Sequence, residues 1–511
     1  MRRRIGLSLS LLLCLGAGAL GAQSAAQAPR QLSLKQALDL ARQNSPSYRQ
    51  TLNDAGPAGA AVRAAQAALF PTLGASGGLG YSGAGRSTFG GTTFNQSSPT
   101  ISSSYSISAS WGLSLRTFLT PSIDKAQERA TQENIASAGV NLISDVTGQY
   151  LAVMRATATL EVARQQVARN AEFVSLARAR QQVGQASMLD VRQADVTKAN
   201  ADVQLLQAQQ AETEAKIELL RRMGMPAGVD VDALTLTESF PLAEPTFDLD
   251  QLKSMAHSSS PALKAVEAQH DAASISVRAA KGDRLPSFSI STGLSGYTQQ
   301  FTNEGILLSN ALRSAQGTQA NCEFQNGILS RLTSPHPSPN GGIIADCNSY
   351  AGLDASGAAL QSSISDAIKT NNSTFPFSFT RQPWSIRLGI DLPLWDGFSR
   401  SLRISQARAT EEDARETVRA QQLLVDGTIQ SKLLEVRTAY RSAQIQDTNR
   451  VAAREQLQLA QQKYRIGNGS ALEVADAQNA VTQAEATYVQ ALYGYHLAVV
   501  GLEAAVGRPL R

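Results

Sequence analysis

The sequence predicts a mainly helical chain with a smaller β component, built from one plan used twice. Three observations support this. Motifs recur in order at constant offsets, four runs alternate with a period of two, and two long proline-free helical stretches are interrupted by glycine turns. The chain has 511 residues and a formal charge of +4, three units of which come from Arg2, Arg3 and Arg4 in a segment expected to be removed. The rest is nearly neutral, so nucleic acid is not an expected partner. Aromatic residues make up only 5%, low for a compact core, while Ala and Gln are abundant, as in long helices packed closely side by side.

Residues 1–28 read as a secretory signal, with a basic start, an apolar stretch over 5–20 and small residues over 22–28 for cleavage. A membrane anchor is disfavoured because the apolar run is short and small residues follow at once. Cys14 follows Leu12 and Leu13 rather than a small residue, which argues against a lipid-modified N-terminal cysteine. No later segment offers ~18 uninterrupted apolar residues. The exported chain is therefore either soluble or crosses a membrane as strands. Cys322 and Cys347 are its remaining cysteines, and an oxidising compartment makes a disulfide between them the default reading. His257, His270, His336 and His496 are scattered without ligand spacing, so no metal or cofactor is expected.

The duplication is read from matched pairs. Residues 41–46 (ARQNSP) are echoed by 256–261 (AHSSSP), residues 62–65 (VRAA) by 277–280, and Pro71 by Pro286, all at an offset of 215. Further on, Gly184, Ser187, Leu189, Asp190 and Val191 match Gly467, Ser470, Leu472, Glu473 and Val474 at an offset of 283, as Gly224 and Pro226 match Gly507 and Pro509. The difference between the offsets places about 68 extra residues in the middle of the second half. The plan is a first repeat over 29–228, a linker over 229–250 and a second repeat over 251–511.

Each repeat then has two strands, expected over 72–82 and 105–118, and over 286–300 and 383–395. Leu73, Leu79 and Tyr81 alternate with Gly74, Ser76 and Gly78; Ile107, Trp111 and Leu113 alternate with Ser106, Ser108 and Ser110. Phe288, Ile290 and Leu294 alternate with serines, and Ile386, Leu388 and Ile390 with Ser385, Arg387 and Gly389. Runs of this length suit a tilted strand crossing a bilayer, which takes roughly 9–11 residues. Apolar outside with small polar residues inside is the pattern of a membrane barrel with a wet lumen. The competing reading is a soluble sandwich with one solvated face. Against it, the polar face is nearly all Ser and Gly, and Tyr81, Tyr105, Trp384 and Trp395 sit at strand ends like an aromatic girdle. Four strands cannot close, and open edges in lipid would leave backbone groups unpaired. Several chains must contribute: three giving about twelve strands is preferred, and counting alone also admits two giving about eight. The connections over 83–104 and 301–382 join the far ends of strand pairs and are expected to face the exterior.

The helices are long. No proline lies between Ser122 and Val183; Leu160, Ala163, Val167, Val174 and Ala177 follow alternating steps of three and four, with Asn170 as a polar exception, and Ala453, Leu457, Ala460 and Tyr464 do likewise. This is coiled-coil spacing with small residues for close approach. About 60 residues span roughly 90 Å. Each helix turns near Gly184 or Gly467, where glycine accepts the positive φ of a tight turn, and returns through residues 189–222 or 472–506.

In this order and duplication, LSLKQALDLARQNSPSYR, AAVRAAQAALFPTLGASG, LGIDLPLWDG, the twin glycine turns and the closing VGRP resemble the TolC-like outer-membrane efflux proteins. The resemblance covers nearly the whole exported chain. It implies a homotrimer in which long antiparallel coiled-coil hairpins form an α-barrel across the periplasm and four strands per chain form a twelve-stranded transmembrane β-barrel in outer-membrane lipid. It also implies partners: a periplasmic adaptor and an inner-membrane transporter of RND, ABC or MFS type. By resemblance Val183, Gly184 and Ser187 form one docking tip, and Ile466, Gly467 and Ser470 the other. The family's tip closes like an iris. Its acidic ring matches Glu473 and Asp476, three apart on one helical face, and its gate hydrogen bond matches Tyr464 and Asp190. Gly469 stands where the family's tethering arginine is expected.

No nucleophile–base pair, phosphate loop or metal cluster is visible, so no enzyme is expected; Gly467-Asn468-Gly469 lacks both a following Walker lysine and a preceding strand. The expected function is a passive exit duct for a tripartite efflux or type I secretion system, opened by docking of its partners. The alternatives are a stand-alone trimeric porin and a trimeric coiled-coil surface adhesin. An adhesin would carry its strands together at one terminus, whereas these are split two and two.

Overall fold

The computed structural model describes residues 31–89, 92–96, 98–226, 231–333 and 337–510. The expected signal segment and linker residues 229–230 lie outside the described residues.

The chain opens with a two-residue strand β1 (Gln31–Leu32) and helices α1 (Leu34–Asn44), α2 (Pro46–Asn53) and α3 (Ala55–Ala67). Strands β2 (Thr72–Ser82), β3 (Gly85–Phe89), β4 (Thr92–Gln96) and β5 (Thr100–Leu113) follow, then helices α4 (Leu115–Gln182) and α5 (Met188–Arg222). Strand β6 (Thr235–Leu236) pairs in parallel with β1. The second half runs α6 (Leu249–Ser259), α7 (Pro261–Gly282) and β7 (Ser287–Phe301). Helices α8 (Glu304–Leu329), α9 (Cys347–Tyr350) and α10 (Ser362–Asn372) come next, then β8 (Thr380–Arg381), β9 (Ser385–Asp391), α11 (Ser399–Arg465) and α12 (Ala471–Val506). The chain divides into two compact units. The first runs up to Ala61 and takes in Ile123–Ser274 and the residues from Arg408 onward; the second is Val62–Ser122 with Ile275–Ala407.

In the helical unit the duplication reappears as packing. Ser33 and Asp248 occupy equivalent N-cap positions of α1 and α6, accepting from the backbone N–H of Gln36 (3.2 Å) and Gln251 (2.9 Å). Pro46 and Pro261 open α2 and α7, where a missing N–H goes unused. One core gathers Ala37 and Ala41 of α1, Leu142, Val146, Tyr150 and Val153 of α4, Leu219 of α5 and the following Met223. A second gathers Leu252 and Ala256 of α6, Val425, Ile429, Leu433 and Val436 of α11, and Leu502 and Val506 of α12. Each of these second-core residues is the repeat counterpart of one in the first, at the offset of 215 or 283. A third cluster joins the two hairpins: Phe173, Val174 and Ala177 of α4 with Val191 and Ala194 of α5, Leu457 and Tyr464 of α11, and Val474, Ala477 and Val481 of α12. By length and composition α12 could cross a membrane, with a mean hydropathy of 1.2 over its best window. Its apolar side is instead spent on α11 and α6, and it carries buried Glu485 and His496.

In the second unit, β2, β5, β7 and β9 form an antiparallel sheet in that order, with β8 also on β7. The register gathers small polar residues on one face. Ser76 stands opposite Ser106, their hydroxyls 2.8 Å apart, Gly74 opposite Ser108, and Ser110 opposite Ser291. Leu73, Ile107, Leu294 and Ile390 share the other face, on which Leu73 is 82% and Leu388 76% exposed. This inverts the soluble pattern, in which the apolar face is the covered one. Among the described residues, β2 at one edge and β9, together with short β8, at the other are the outer strands, each with one unpaired side.

Two strand ends differ from the sequence expectation. The strand expected over 105–118 starts earlier, at Thr100, and stops at Leu113, because Ser114 Oγ accepts from Thr117 N–H (3.2 Å) and caps the start of α4. The strand expected over 383–395 pairs only over Ser385–Asp391. Pro393 then removes a donor, and Asp396 accepts from Arg400 N–H (2.8 Å) to turn the chain into α11. The connection over 83–104 contains the β3–β4 hairpin, and that over 301–382 contains α8, α9 and α10. A disulfide joins Cys322 of α8 to Cys347 of α9. Asn326 holds the same loop by exchanging hydrogen bonds with the backbone of Ile344 (2.8 and 3.0 Å). The returning chain is sewn to the sheet: Asn372 exchanges hydrogen bonds with the backbone of Phe301 (2.8 and 2.9 Å), and Ser103 Oγ donates to Pro376 O (2.6 Å).

Closing a loop with the 25-residue separation of this disulfide stabilises the segment by roughly 3 kcal/mol. Replacing both cysteines by serine should make residues 304–372 much more sensitive to limited proteolysis while far-ultraviolet dichroism of the long helices stays unchanged. Equal protease resistance in the two proteins would contradict this.

Candidate functional site: the paired hairpin tips

Each hairpin turns through the same hydrogen-bond pattern. At the first tip, Gly184 N–H donates to Gln181 O (3.0 Å) and Gln185 N–H to Arg180 O (2.8 Å); at the second, Gly467 N–H donates to Tyr464 O (3.2 Å) and Asn468 N–H to Lys463 O (3.0 Å). This is the Schellman closure of a helix C-terminus, and it needs a left-handed residue at the glycine. Gly184 has φ +77° and Gly467 φ +85°. The return helices start alike, with Ser187 Oγ accepting from Asp190 N–H and Ser470 Oγ from Glu473 N–H, both at 3.2 Å. Val183, Met188 and Leu189 at one turn and Ile466 and Leu472 at the other are large apolar side chains left exposed.

The acids of the two N-termini behave differently. Asp190 Oδ2 accepts from the backbone N–H (2.9 Å) and hydroxyl (3.0 Å) of Ser187, completing a capping box. Glu473 and Asp476 are exposed, beside the face of α12 that buries Val474, Ala477 and Val481. Among the described residues neither takes part in an ion pair.

The gate hydrogen bond implied by the resemblance, Tyr464 to Asp190, is not formed in this protomer. The capping box uses the Asp190 carboxylate. Tyr464 is buried against Phe173, ring centroids 5.6 Å apart, and its hydroxyl has no hydrogen-bond partner among the described residues. Burial pushes its phenol above the ordinary value, with the Arg180 charge pulling it down and the Asp190 charge pushing it up. At Gly469 the structure shows why no arginine stands there. An added Cβ would lie 2.9 Å from Tyr464 N and 3.0 Å from Lys463 Cβ, so the turn itself would have to move.

Sequence reasoning missed two groups in the seam between the hairpins. Arg180, at the end of α4, donates through Nη1 to Tyr464 O and through Nη2 to Gln185 O (3.3 Å), with its guanidinium 4.3 Å from the centre of the Tyr464 ring. Farther along, Glu485 of α12, only 3% exposed, is held by Arg169 of α4 (3.2 Å) and Arg454 of α11 (2.9 and 2.7 Å). The partners of both groups lie far apart in sequence, so periodicity carries no trace of them.

The chain combines an antiparallel sheet that exposes an apolar face with a duplicated pair of long helical hairpins. The chain belongs to the outer membrane efflux protein family, whose model matches residues 37–225 and 352–508. It is therefore an outer-membrane channel, its helical part periplasmic. Solved structures with this fold include the Campylobacter jejuni CmeC outer membrane channel, at 13% identity over 93% of this chain and 85% of that one, with a TM-score of 0.65. The outer membrane protein VceC from Vibrio cholerae matches at 16% identity over 94% and 97%, with a TM-score of 0.64. The open state of the Neisseria gonorrhoeae MtrE outer membrane channel matches at 16% over 94% and 89%, with a TM-score of 0.62.

Glu485→Ala would leave Arg169, 20% exposed, without its carboxylate while half-exposed Arg454 turns to water, and should cost roughly 1–3 kcal/mol, read as a lower thermal midpoint. Replacing Arg169, Glu485 and Arg454 together by methionine should recover most of that loss. A single substitution without effect would show that the cluster does not hold the hairpins.

Proposed function

We infer that the protein is the exit duct of a tripartite efflux or type I secretion system, a passive conduit opened when a periplasmic adaptor and an inner-membrane transporter dock. The observation that carries this is the pairing, in one chain, of a sheet with an exposed apolar face and hairpin tips that expose apolar side chains around two glycine turns. The first feature suits lipid and the second a protein partner. Three copies, each giving four strands, would close a barrel of about twelve strands and remove every free edge. The helical hairpins of the three copies would likewise form an α-barrel. Glu473 and Asp476, exposed and unpaired, would then recur three times around the pore. Such a ring favours cations. The Gly184 and Gly467 turns, with Val183, Ser187, Ile466 and Ser470, would receive the adaptor. No observation favours the porin or adhesin alternatives: a porin has no use for paired apolar tips, and an adhesin would not split its strands between repeats.

Native mass measurement in detergent should give a trimer, and a monomer with full β content would end this reading. The double variant Glu473→Ala/Asp476→Ala should lose cation selectivity in planar bilayers; unchanged selectivity would remove the ring from the account. Gly184→Leu/Gly467→Leu should abolish adaptor co-purification while bilayer conductance persists, and retained binding would move docking elsewhere.

A further inference from the structure

The tip seam contains a contact that joins the two hairpins of one protomer through a single side chain. Arg180 belongs to the first hairpin and Tyr464 to the second, and the guanidinium engages Tyr464 through both its ring and its carbonyl. The carbonyl lies in the last turn of α11, where it also accepts from Gly467 N–H (3.2 Å) and where a cation is favoured by the helix dipole. The other arm of Arg180 bonds Gln185 O in its own turn (3.3 Å), so the fork spans both turns. Nη2 also lies 4.0 Å from where a Cβ on Gly467 would sit, which places the charge directly against the second turn.

The surrounding seam is poorly satisfied. Tyr464 Oη, Arg180 Nε, Asn170 Oδ1 and both amide atoms of Gln478 are buried without hydrogen-bond partners among the described residues. Each such atom carries a desolvation cost that separation of the hairpins would relieve. The apolar cluster of Phe173, Val174, Leu457 and Val474 and the Arg465–Glu172 ion pair (3.7 Å) join the hairpins there, and a further polar contact is needed to set the tips themselves. Gly469 has no side chain to do so, and the structure leaves no room for one.

We propose that Arg180 is the positioning residue that latches the two hairpin tips of each protomer in the resting channel, and that opening requires its release from Tyr464. This rests on the exit-duct reading for its consequence, but the latch itself is a statement about tip separation. The tyrosine acts through its ring and main chain, not its hydroxyl. Tyr464→Phe should therefore leave the latch intact, whereas a gate built on a Tyr464–Asp190 hydrogen bond would fail in that variant.

The test uses the full-length protein with spin labels on Val183→Cys and Ile466→Cys, the native cysteines being held in their disulfide, and spin-diluted so that one protomer reports. Arg180→Ala and Tyr464→Leu should each lengthen and broaden the inter-tip distance, Arg180→Lys should restore it in part, and Tyr464→Phe should match the parent. In planar bilayers the same two loosened variants should show a roughly tenfold larger open fraction, equivalent to about 1.4 kcal/mol. An inter-tip distance unchanged in both Arg180→Ala and Tyr464→Leu overturns the latch, whatever the conductance. A shifted distance with no change in open fraction overturns its role in opening. A shifted distance in a protein whose parent never conducts leaves the latch standing and overturns the duct.

Discussion

Everything in this chain follows from the exposed apolar face of its sheet. Leu73, Ile107, Leu388 and Ile390 present a surface that water does not tolerate at that size. The surroundings that suit it, hydrocarbon, cannot satisfy the free backbone groups along the outer sides of β2 and β9. The two requirements are compatible if the edges meet other strands, as the proposed association of three copies would provide. The small polar face fits the same logic. Ser and Gly on the polar face would leave room for a wet lumen in the proposed barrel, where larger side chains would fill it.

The helical unit shows what duplication does and where it stops. Leu142, Val146 and Tyr150 have Val425, Ile429 and Leu433 as counterparts, and both sets bury themselves against equivalent entry helices. Two hairpins thus solve the same packing problem independently. At the tips the backbone still repeats, hydrogen bond for hydrogen bond, but the side chains diverge. Arg180 corresponds to Lys463, and Tyr464 to Gln181. Arg180 of the first hairpin grips the Tyr464 ring of the second, while Arg465 at the end of α11 reaches back to Glu172 of α4 (3.7 Å), so the two contacts across the seam are of different kinds. The acids diverge in the same way. Asp190 is short enough to close a capping box on Ser187, whereas Glu473 leaves its carboxylate exposed.

Much of this was legible in the sequence, for identifiable reasons. Offsets of 215 and 283 marked caps, turns and core positions, because the same local chemistry had to be written twice. Period-two runs named the faces of the sheet, since each register is set by alternation. Strand ends were less legible. Ser114 reads as one more serine of an alternating run, and only its hydrogen bond to Thr117 N–H shows that it starts a helix. The region between β7 and β8 hid α8 behind a Gly, Ser and Asn composition typical of loops. The Tyr464–Asp190 pairing could not be judged at all from sequence. Whether a carboxylate reaches across a seam depends on what its own N-terminus already demands of it.

The placement of charge along the seam decides where the hairpins can part. At the tip, Arg180 makes a part-buried contact with Tyr464 O. About 20 Å farther along α12, Glu485 is enclosed by Arg169 and Arg454. Leaving buried Glu485 without its arginines would cost more than solvating an exposed pair, because the carboxylate is only 3% exposed. Between them sits Gln478, 2% exposed with both amide atoms unpartnered. Opening the tip lets water reach that amide, while opening past Glu485 would break its hydrogen bonds to Arg169 and Arg454. Separation is thus favoured on one side of Glu485 and opposed on the other, which makes this layer the natural limit of a hairpin movement released at Arg180.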